Sequence, residues 1–221
     1  LYRGRVPVSK IQRAFSVGAF GVSKNRRFVP TRWSITAVDD TIGKALREQV
    51  KGFPLIDSIR VHEAVGFDDR FLVVQMPRPW RYELIEAWYP NTLWNPLGRE
   101  AVMFGDHEGF NGRTTYASIG GCYYAARLAV AEALLREQRQ AATVILRETH
   151  PGYIMPVGVW NVREHVRDAL RRPARSFGTL SETLAHLQTR LDIPIARYVR
   201  ISEVLKHVLQ QRTFDDYVSL A

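Results

Sequence analysis

Cysteine is almost absent from this sequence, since Cys122 is the only one among 221 residues. A single thiol can form neither an internal disulfide nor a structural zinc site. The six histidines are scattered, with no pair at the spacing of metal ligands. We therefore expect a protein of a reducing, intracellular compartment, with no metal and no cofactor bound to this chain.

Long apolar runs are also missing. No stretch approaches the ~18 residues that a helix needs to cross a bilayer, and the start has no signal-peptide pattern. The sequence begins with Leu1, from which we expect that an upstream part has been removed. A membrane is not an expected partner.

The charge is strongly of one sign. The formal net charge is +9, and hydrophobic residues make up 46% of the chain, which is a globular composition. A basic surface attracts polyanions, of which nucleic acid is the usual one. Surface charge also serves heat stability, so a pure protein–protein adaptor stays open as an alternative.

Apolar periodicity predicts an α+β fold with a central, mostly antiparallel sheet flanked by helices and a helical C-terminal third. Residues 1–30 are interpreted as a basic surface loop or arm, and residues 90–118 as a long irregular stretch. Strands are predicted at 31–38, at 55–67, 69–77 and 80–90 as an antiparallel meander, and at 141–148. Helices are predicted from the Asp pair to residue 50, and at 117–138, 161–172, 178–191 and 199–210. We divide the chain into an α+β core (1–160), a helical part (161–210) and a tail (211–221).

Asp39 and Asp40 stand where the strand pattern of TRWSITAV changes to helical spacing. Adjacent residues point to opposite faces of a strand and diverge by about 100° on a helix. Neither geometry brings two carboxylates together for acid–base catalysis. The pair is therefore interpreted as a helix cap, where acidic groups favour the positive end of the helix dipole.

Basic and aromatic residues suggest a nucleic-acid surface. Arg113 lies in NGRTTYASIGG, a loop that leads into a helix and could hold a phosphate, although the absence of a Walker-type GK(S/T) sequence favours a plain loop-to-helix join. In RPWRYELIEAWYPNTLWNP, aromatic rings could stack on unpaired bases while arginines bind phosphates. The candidate nucleic-acid-binding residues are Lys24, Arg26, Arg27, Arg32, Arg81, Tyr89, Trp94, Arg113 and Arg127.

An enzyme acting on damaged DNA, with a nuclease or a nucleotide-transferring activity, is the alternative. Glu83, Glu86, Asp106 and Glu108 could group around Mg²⁺ as in a nuclease, with the site in the loops at 86–118 and His107 nearby. Cys122, in the first turn of a helix, is a weaker candidate nucleophile with a lowered pKa. Nothing in the spacing specifies either site, so no catalytic residue is assigned.

The tail QRTFDDYV has Gln211, Phe214 and Tyr217 spaced three apart. In a 3₁₀ turn such residues project together and would form a small apolar plug. Exposed aromatics near a terminus usually mean a partner. The alternative is a fraying end of the last helix, but two large aromatic residues near a terminus, with no further chain to bury them, count against it.

Four long strings resemble the archaeal Nre family of DNA-repair proteins: FVPTRWSITAVDDTIGK (28–44), EAWYPNTLWNP (86–96), YASIGGCYYAARLAVAE (116–132) and YIMPVGVWNVREHVRDA (153–169). They occur in order and span nearly the whole chain. The resemblance implies a cytoplasmic, nucleoid-associated archaeal protein that repairs DNA damage. The family's N-terminal half, and the zinc-binding cysteines of some members, are expected to be absent here.

The resemblance also implies binding to the sliding clamp (PCNA) through a C-terminal PIP motif. Gln211 takes the glutamine place of that motif, Phe214 the aliphatic place and Tyr217 the first aromatic place. Val218 stands at the second aromatic place. Phe214 and Val218 depart from the usual pattern, which predicts a weakened clamp contact.

Overall fold

The computed structural model describes residues 1–154 and 158–210. Its helices are α1 (Val8–Ser16), α2 (Thr31–Val50), α3 (Gly121–Glu137), α4 (Gly158–Arg171), α5 (Leu180–Gln188), α6 (Ile195–Ile201) and α7 (Glu203–Gln210). Its strands are β1 (Ile59–Gly66), β2 (Asp69–Met76), β3 (Arg81–Trp88), β4 (Val102–Glu108), β5 (Ala142–Thr149) and β6 (Arg175–Phe177). Within the described ranges, no helix is long and apolar enough to cross a membrane.

The strands form one sheet in the order β4-β3-β5-β2-β1-β6. β3 and β5 run parallel, and the other neighbouring strands are antiparallel. This confirms the predicted α+β fold with a mostly antiparallel sheet. The predicted strands at 55–67, 69–77 and 141–148 are confirmed as β1, β2 and β5. The meander is wrong in one respect, because β5 lies between β2 and β3.

Helices cover both faces of the sheet. Residues of α1–α4 form one apolar core with inward side chains such as Phe71, Leu84 and Ile145. Residues 180–205 form a second core on the opposite face, against side chains such as Leu72 and Leu146. The helical C-terminal third is confirmed, and it also adds β6 to the sheet edge. Its separation from residues 1–160 as a distinct part stays a prediction.

The β1–β2 hairpin closes through Phe67 and Asp68, which both have positive φ, 54° and 61°. Two successive positive values are the mark of a type I′ turn, whose twist matches that of the flanking strands. The antiparallel connection between the strands predicted at 55–67 and 69–77 is therefore confirmed.

The strand predicted at 31–38 is wrong, because this segment is the first half of α2. Val38, Ile42, Leu46 and Val50 are buried at a constant spacing of four, so one apolar stripe crosses the predicted boundary. The β-branched residues of TRWSITAV favour a strand locally. Burying the apolar stripe of this 20-residue helix stabilises it more than the β-branched residues favour a strand.

Two irregular segments contain elements that the sequence did not indicate. α1 lies within residues 1–30 and buries Val8 and Ile11 against the first core. β4 lies within residues 90–118 and pairs with β3 at the sheet edge. The β4 sequence contains Gly105 and Asp106, which are unfavourable in strands, so pairing with β3 decides its conformation. The predicted tail, with Gln211, Phe214, Tyr217 and Val218, lies outside the described residues.

Candidate nucleic-acid interface

The carboxyl ends of β3 and β5 lie at the same end of the sheet, because the chain passes from β3 through β4 and α3 to the parallel strand β5. The first turn of α3 lies close to α2 and α4: a Cβ on Gly121 would stand 2.5 Å from Val159 and 2.9 Å from Thr36. Only glycine permits this approach. Ligands of comparable sheets bind outside the carboxyl ends of the strands.

The buried Arg147 stabilises this end of the sheet. Arg147 donates to Asp69 at 2.6 Å and to Glu86 at 2.7 Å, and all three side chains are almost fully buried. Burial alone would lower the pKa of Arg147, but Glu86 and Asp69 raise it. Its guanidinium also lies 4.8 Å from the centre of the Trp88 ring. These contacts form one polar cluster that connects β2, β3 and β5 at this end of the sheet.

A second buried cluster centres on Glu108 at the end of β4. Its carboxylate accepts hydrogen bonds from Trp80 Nε1 at 3.1 Å, the Tyr123 hydroxyl at 3.1 Å and Arg127 Nη1 at 2.9 Å. Arg127 is fully buried and donates through Nη2 to Asp40 Oδ1 at 2.5 Å. A chain of charges therefore connects β4 through α3 to the surface of α2.

The Asp pair is not a helix cap, because both residues lie well past the first turn of α2. Asp39 is buried, and its Oδ1 accepts hydrogen bonds from Gln12 Nε2 at 2.7 Å and Arg163 Nη1 at 2.7 Å. Burial raises the pKa of Asp39 to about 6 against the opposing effect of Arg163. Asp39 therefore joins α1, α2 and α4, whereas Asp40 faces outward beside Arg127.

An aromatic cleft of about 400 Å³ opens between α2 and the start of α3. It is lined by Trp33, Thr36, Ala37, Asp40, Tyr116 and Tyr124. The four α2 residues share one helical face. Trp33 is 61% exposed and Tyr116 67% exposed, an unusual state for two large rings at one cleft. Helical spacing of Trp33, Ala37 and Asp40 was the sequence signal for this face, and the strand interpretation of 31–38 concealed it.

Comparison with known proteins now identifies the family. The family model described as "Archaeal Nre, N-terminal" matches residues 1–95, and the one described as "Archaeal Nre, C-terminal" matches residues 108–217. This chain belongs to the archaeal Nre family. The match to the N-terminal model corrects the expectation that this chain lacks the family's N-terminal region.

Curated relatives agree with this assignment of the Nre chain. It is 43% identical over 218 residues to DNA repair protein NreB of Archaeoglobus fulgidus, an alignment that covers 99% of this chain and 55% of NreB. It is 38% identical over 218 residues to DNA repair protein NreA of Haloferax volcanii, covering 97% and 51% of the two chains. The Nre chain therefore spans about half the length of these relatives. No solved structure matches it.

The basic segment of the Nre chain lies at the start of α2. Lys24, Arg26, Arg27 and Arg32 are all exposed. The N–H of Val29 donates to the carbonyl of Ser16 at 2.9 Å, and this bond ties the segment to the end of α1. Four exposed cations thus lie in the segment that runs from the end of α1 into the first turn of α2, the turn that also carries Trp33.

Arg113 and Arg127 are engaged inside the fold. Arg113 Nη1 lies 2.6 Å from Asp106 Oδ1 and its guanidinium lies 4.9 Å from the centre of the Tyr123 ring. Arg127 is fully buried between Glu108 and Asp40, where a phosphate could not reach it. These two arginines therefore stabilise the loop at 109–120 and the cleft wall.

The remaining candidates lie at opposite ends of β3. Arg81 begins the strand, whereas Tyr89 and Trp94 follow its end, about 25 Å away for eight residues at ~3.3 Å each. Tyr89 stacks on His150 with ring centres 4.3 Å apart. Trp94 is 65% exposed and rests edge-on against Trp88. Trp94 therefore lies at the same end of the sheet as the first turn of α3, whereas Arg81 lies at the opposite end.

The carboxylates of the nuclease interpretation do not converge. Glu86 pairs with Arg147, Asp106 with Arg113 and Glu108 with Arg127, while Glu83 accepts hydrogen bonds from the first turn of α7 on the other face of the sheet. Each group is thus engaged at a different place. The structure therefore assembles no Mg²⁺ site from these four side chains.

Glu148, His150 and Asp192 form the one group of potential metal ligands found within residues 1–154 and 158–210. Glu148 already accepts hydrogen bonds from the N–H groups of Asp192 at 3.1 Å and Ile193 at 2.9 Å. Arg70 lies 3.5 Å from the same carboxylate, which opposes a cation there. This group therefore stabilises the turn after α5.

Cys122 does not fit the role of nucleophile. Burial of its sulfur raises the pKa of the thiol well above its usual value, and the neighbouring Glu86 raises it further. The expected lowering at the helix start is therefore wrong, because desolvation and a nearby carboxylate outweigh the helix dipole. A protonated, partly buried thiol that packs against the first core is a packing residue.

Proposed function

We propose that this Nre chain is a DNA-repair factor that contacts DNA through its basic segment and exposed aromatic rings, and that its tail recruits it to the sliding clamp. The observation that carries the proposal is the exposure of Lys24, Arg26, Arg27 and Arg32 in the segment that leads into the first turn of α2, where the exposed Trp33 also stands. The names of the relatives, DNA repair proteins, support the same role.

The basic segment supplies the electrostatic half of the contact. Arg26 and Arg27 make hydrogen bonds only to backbone carbonyls among the described contacts, at 2.9–3.2 Å, so their charges are available to phosphates. Arginine binds phosphate in a bidentate manner. Counterions released from DNA would then make binding salt-dependent.

The aromatic rings supply the second half. Trp33, Trp94 and Tyr116 are each more than 60% exposed, and large exposed apolar side chains mark interaction surfaces. Rings of this kind stack on unpaired bases and gain about 1–3 kcal/mol per base. The surface therefore suits DNA whose bases are unstacked, as at a damaged site, better than an intact duplex.

Replacing Arg26, Arg27 and Arg32 together with alanine is expected to weaken binding of single-stranded DNA and flatten its salt dependence. Three lost phosphate contacts should reduce the slope of log K against log salt concentration by about 2, at ~0.7 per contact. Fluorescence anisotropy of a labelled oligonucleotide, at salt concentrations from about 50 to 300 mM, measures the affinity and the slope of its salt dependence.

The matched control replaces Arg136, Arg171 and Arg175, which are exposed but lie near the far ends of α3 and α4. This variant loses the same charge and should keep the original slope within ~0.5. Equal loss of slope in both variants would mean that net charge alone drives binding. A flat salt dependence of the unchanged chain would instead favour the adaptor alternative.

Clamp recruitment is proposed from the sequence of the tail, with Gln211, Phe214, Tyr217 and Val218 as its contacts. A short peptide of modest affinity still concentrates the attached protein at a repair site, because tethering raises the effective concentration. Phe214 at the aliphatic place and Val218 at the second aromatic place should keep the affinity in the micromolar range.

The substitution of both Phe214 and Tyr217 with alanine is expected to abolish clamp binding in calorimetry, with no change in thermal stability of the Nre chain. Removal of residues 211–221 should have the same effect. An Asp215→Asn variant is the control, since this residue is expected to point away from the clamp. Full binding after the double substitution would exclude the tail as the clamp contact.

A further inference from the structure

We propose that the aromatic cleft binds one unpaired guanine base. The base could belong to single-stranded DNA, in which case the inference rests on the proposed DNA contact, or to a free guanine nucleotide. The chemistry that recognises it is the same in both cases. It follows from the rings at the mouth of the cleft and from the polar groups of Asp40 and Tyr124.

The rings set the shape of the ligand. Trp33 stands on α2 and Tyr116 on the loop before α3, and both line the opening. Tyr116 is held in place by Tyr124, whose ring centre is 5.3 Å away. The volume of about 400 Å³ lies at the small end of the range for ligand pockets. A flat aromatic molecule that stacks on indole and phenol rings fits such a cleft.

Asp40 determines which hydrogen-bonding groups the ligand must carry. Its Oδ1 accepts a hydrogen bond from the buried Arg127 at 2.5 Å, and its Oδ2 accepts one from the exposed Lys44 at 2.7 Å. Arg127 is itself held by Glu108 at 2.9 Å, so a buried chain of contacts orients the carboxylate. Each carboxylate oxygen can accept a second hydrogen bond. The cleft therefore presents two adjacent acceptors.

Tyr124 adds a donor to the same cleft. Its hydroxyl oxygen accepts the N–H of Ala117 at 2.8 Å, which leaves the hydroxyl proton free to be donated to a ligand. The lining of the cleft thus offers two acceptor oxygens on α2 and one donor on α3. A matching ligand carries two neighbouring N–H groups and an acceptor beside them.

Guanine is the DNA base with that pattern. Its pairing edge carries the N1–H and N2–H₂ donors side by side, with the O6 acceptor next to them. Adenine and cytosine present an amino group beside a bare ring nitrogen, which a carboxylate repels. Thymine presents one N–H between two carbonyl oxygens. Bases that are unpaired are read along this edge.

The first arm of the test uses mononucleotides and the quenching of tryptophan fluorescence. We expect dGMP to bind about tenfold more tightly than dIMP, which lacks only the N2 amino group, because one hydrogen bond to a charged group is lost. dAMP and dTMP should bind more weakly still. Trp33→Phe should keep the binding, measured by calorimetry, and lose most of the quenching.

The second arm uses thymine oligonucleotides with one central guanine, hypoxanthine or adenine, measured by anisotropy. Trp33→Ala and Tyr116→Ala should each remove the preference for guanine. Phe110→Ala is the control, because Phe110 is also an exposed ring but contacts Lys51, which lies about 27 Å from Trp33 along α2 at ~1.5 Å per residue. Asp40→Asn should equalise guanine and hypoxanthine, with circular dichroism confirming that the variant is folded.

The outcomes separate this inference from the proposed function. A guanine preference in both arms, lost in the Trp33 and Tyr116 variants, supports the cleft as a guanine site on DNA. Preference for dGMP with no binding of oligonucleotides supports the cleft with a free nucleotide as its source and overturns the DNA contact. Oligonucleotide binding with no guanine preference overturns the guanine cleft and leaves the DNA contact intact.

Discussion

Replacing Arg147 with alanine is expected to lower the free energy of unfolding by about 3–5 kcal/mol. Arg147 neutralises Asp69 and Glu86, and both carboxylates are almost entirely buried. Without the guanidinium, two negative charges would remain in the interior. Asn161, which donates to Asp69 at 2.9 Å, replaces only a small part of that compensation.

Urea denaturation measures this loss, and Arg60→Ala is its control. Arg60 pairs with Glu137 at 2.9 Å near the surface, where an ion pair contributes about 0–1 kcal/mol. Arg147→Met combined with Asp69→Asn and Glu86→Gln should be less destabilising than Arg147→Met alone, because the uncompensated charges are gone. Equal loss in both would show that the cavity, rather than the charge, is responsible.

Replacing Glu83 with alanine is expected to destabilise the chain by about 2–4 kcal/mol and to loosen α7 first. Glu83 lies on β3, and its carboxylate accepts the N–H groups of Glu203 at 2.9 Å and Val204 at 3.1 Å. It also accepts the hydroxyl of Ser202. A negative charge at the start of a helix offsets the helix dipole, and a buried N–H without a partner costs about 1–3 kcal/mol.

Hydrogen exchange of the α7 amides, together with urea denaturation, measures this effect. Glu83→Gln should cost less than Glu83→Ala, because the amide oxygen still accepts one hydrogen bond. Glu203→Ala is the control: among the described residues the Glu203 side chain pairs with Lys206, in an exposed i,i+3 contact of 2.8 Å, and its removal should change stability by about 0.5 kcal/mol or less. Unchanged protection of α7 in Glu83→Ala would exclude the capping role.

Much of the fold could be predicted because burial leaves a local pattern. Strand-like apolar runs located β1, β2, β3 and β5, and apolar residues at helical spacing located α3. The same reasoning failed for residues 31–38, where a strand-like composition stood at the start of a 20-residue helix. It also failed for β4, because an edge strand with glycine and aspartate acquires its conformation from the strand beside it.

The site was less predictable than the fold. The exposed cations of the basic segment could be expected from the sequence alone, since charge is a local property. Arg113 and Arg127 cannot be distinguished in the sequence from the exposed arginines of that segment. In the structure, however, Arg113 pairs with Asp106, and Arg127 pairs with Asp40 and Glu108. A sequence gives the number of charges but does not show which arginine and which carboxylate will share an interior site.

The sequence by itself determined the family, the basic surface charge and most of the strands and helices of this Nre chain. Only the tertiary structure decided the role of the Asp pair and the formation of the aromatic cleft. Asp39 meets Arg163 across 124 residues, and Trp33 and Tyr116 line the same cleft only because α2 packs beside α3. Periodicity reports which face of an element is buried, whereas the partner on that face depends on the path of the whole chain.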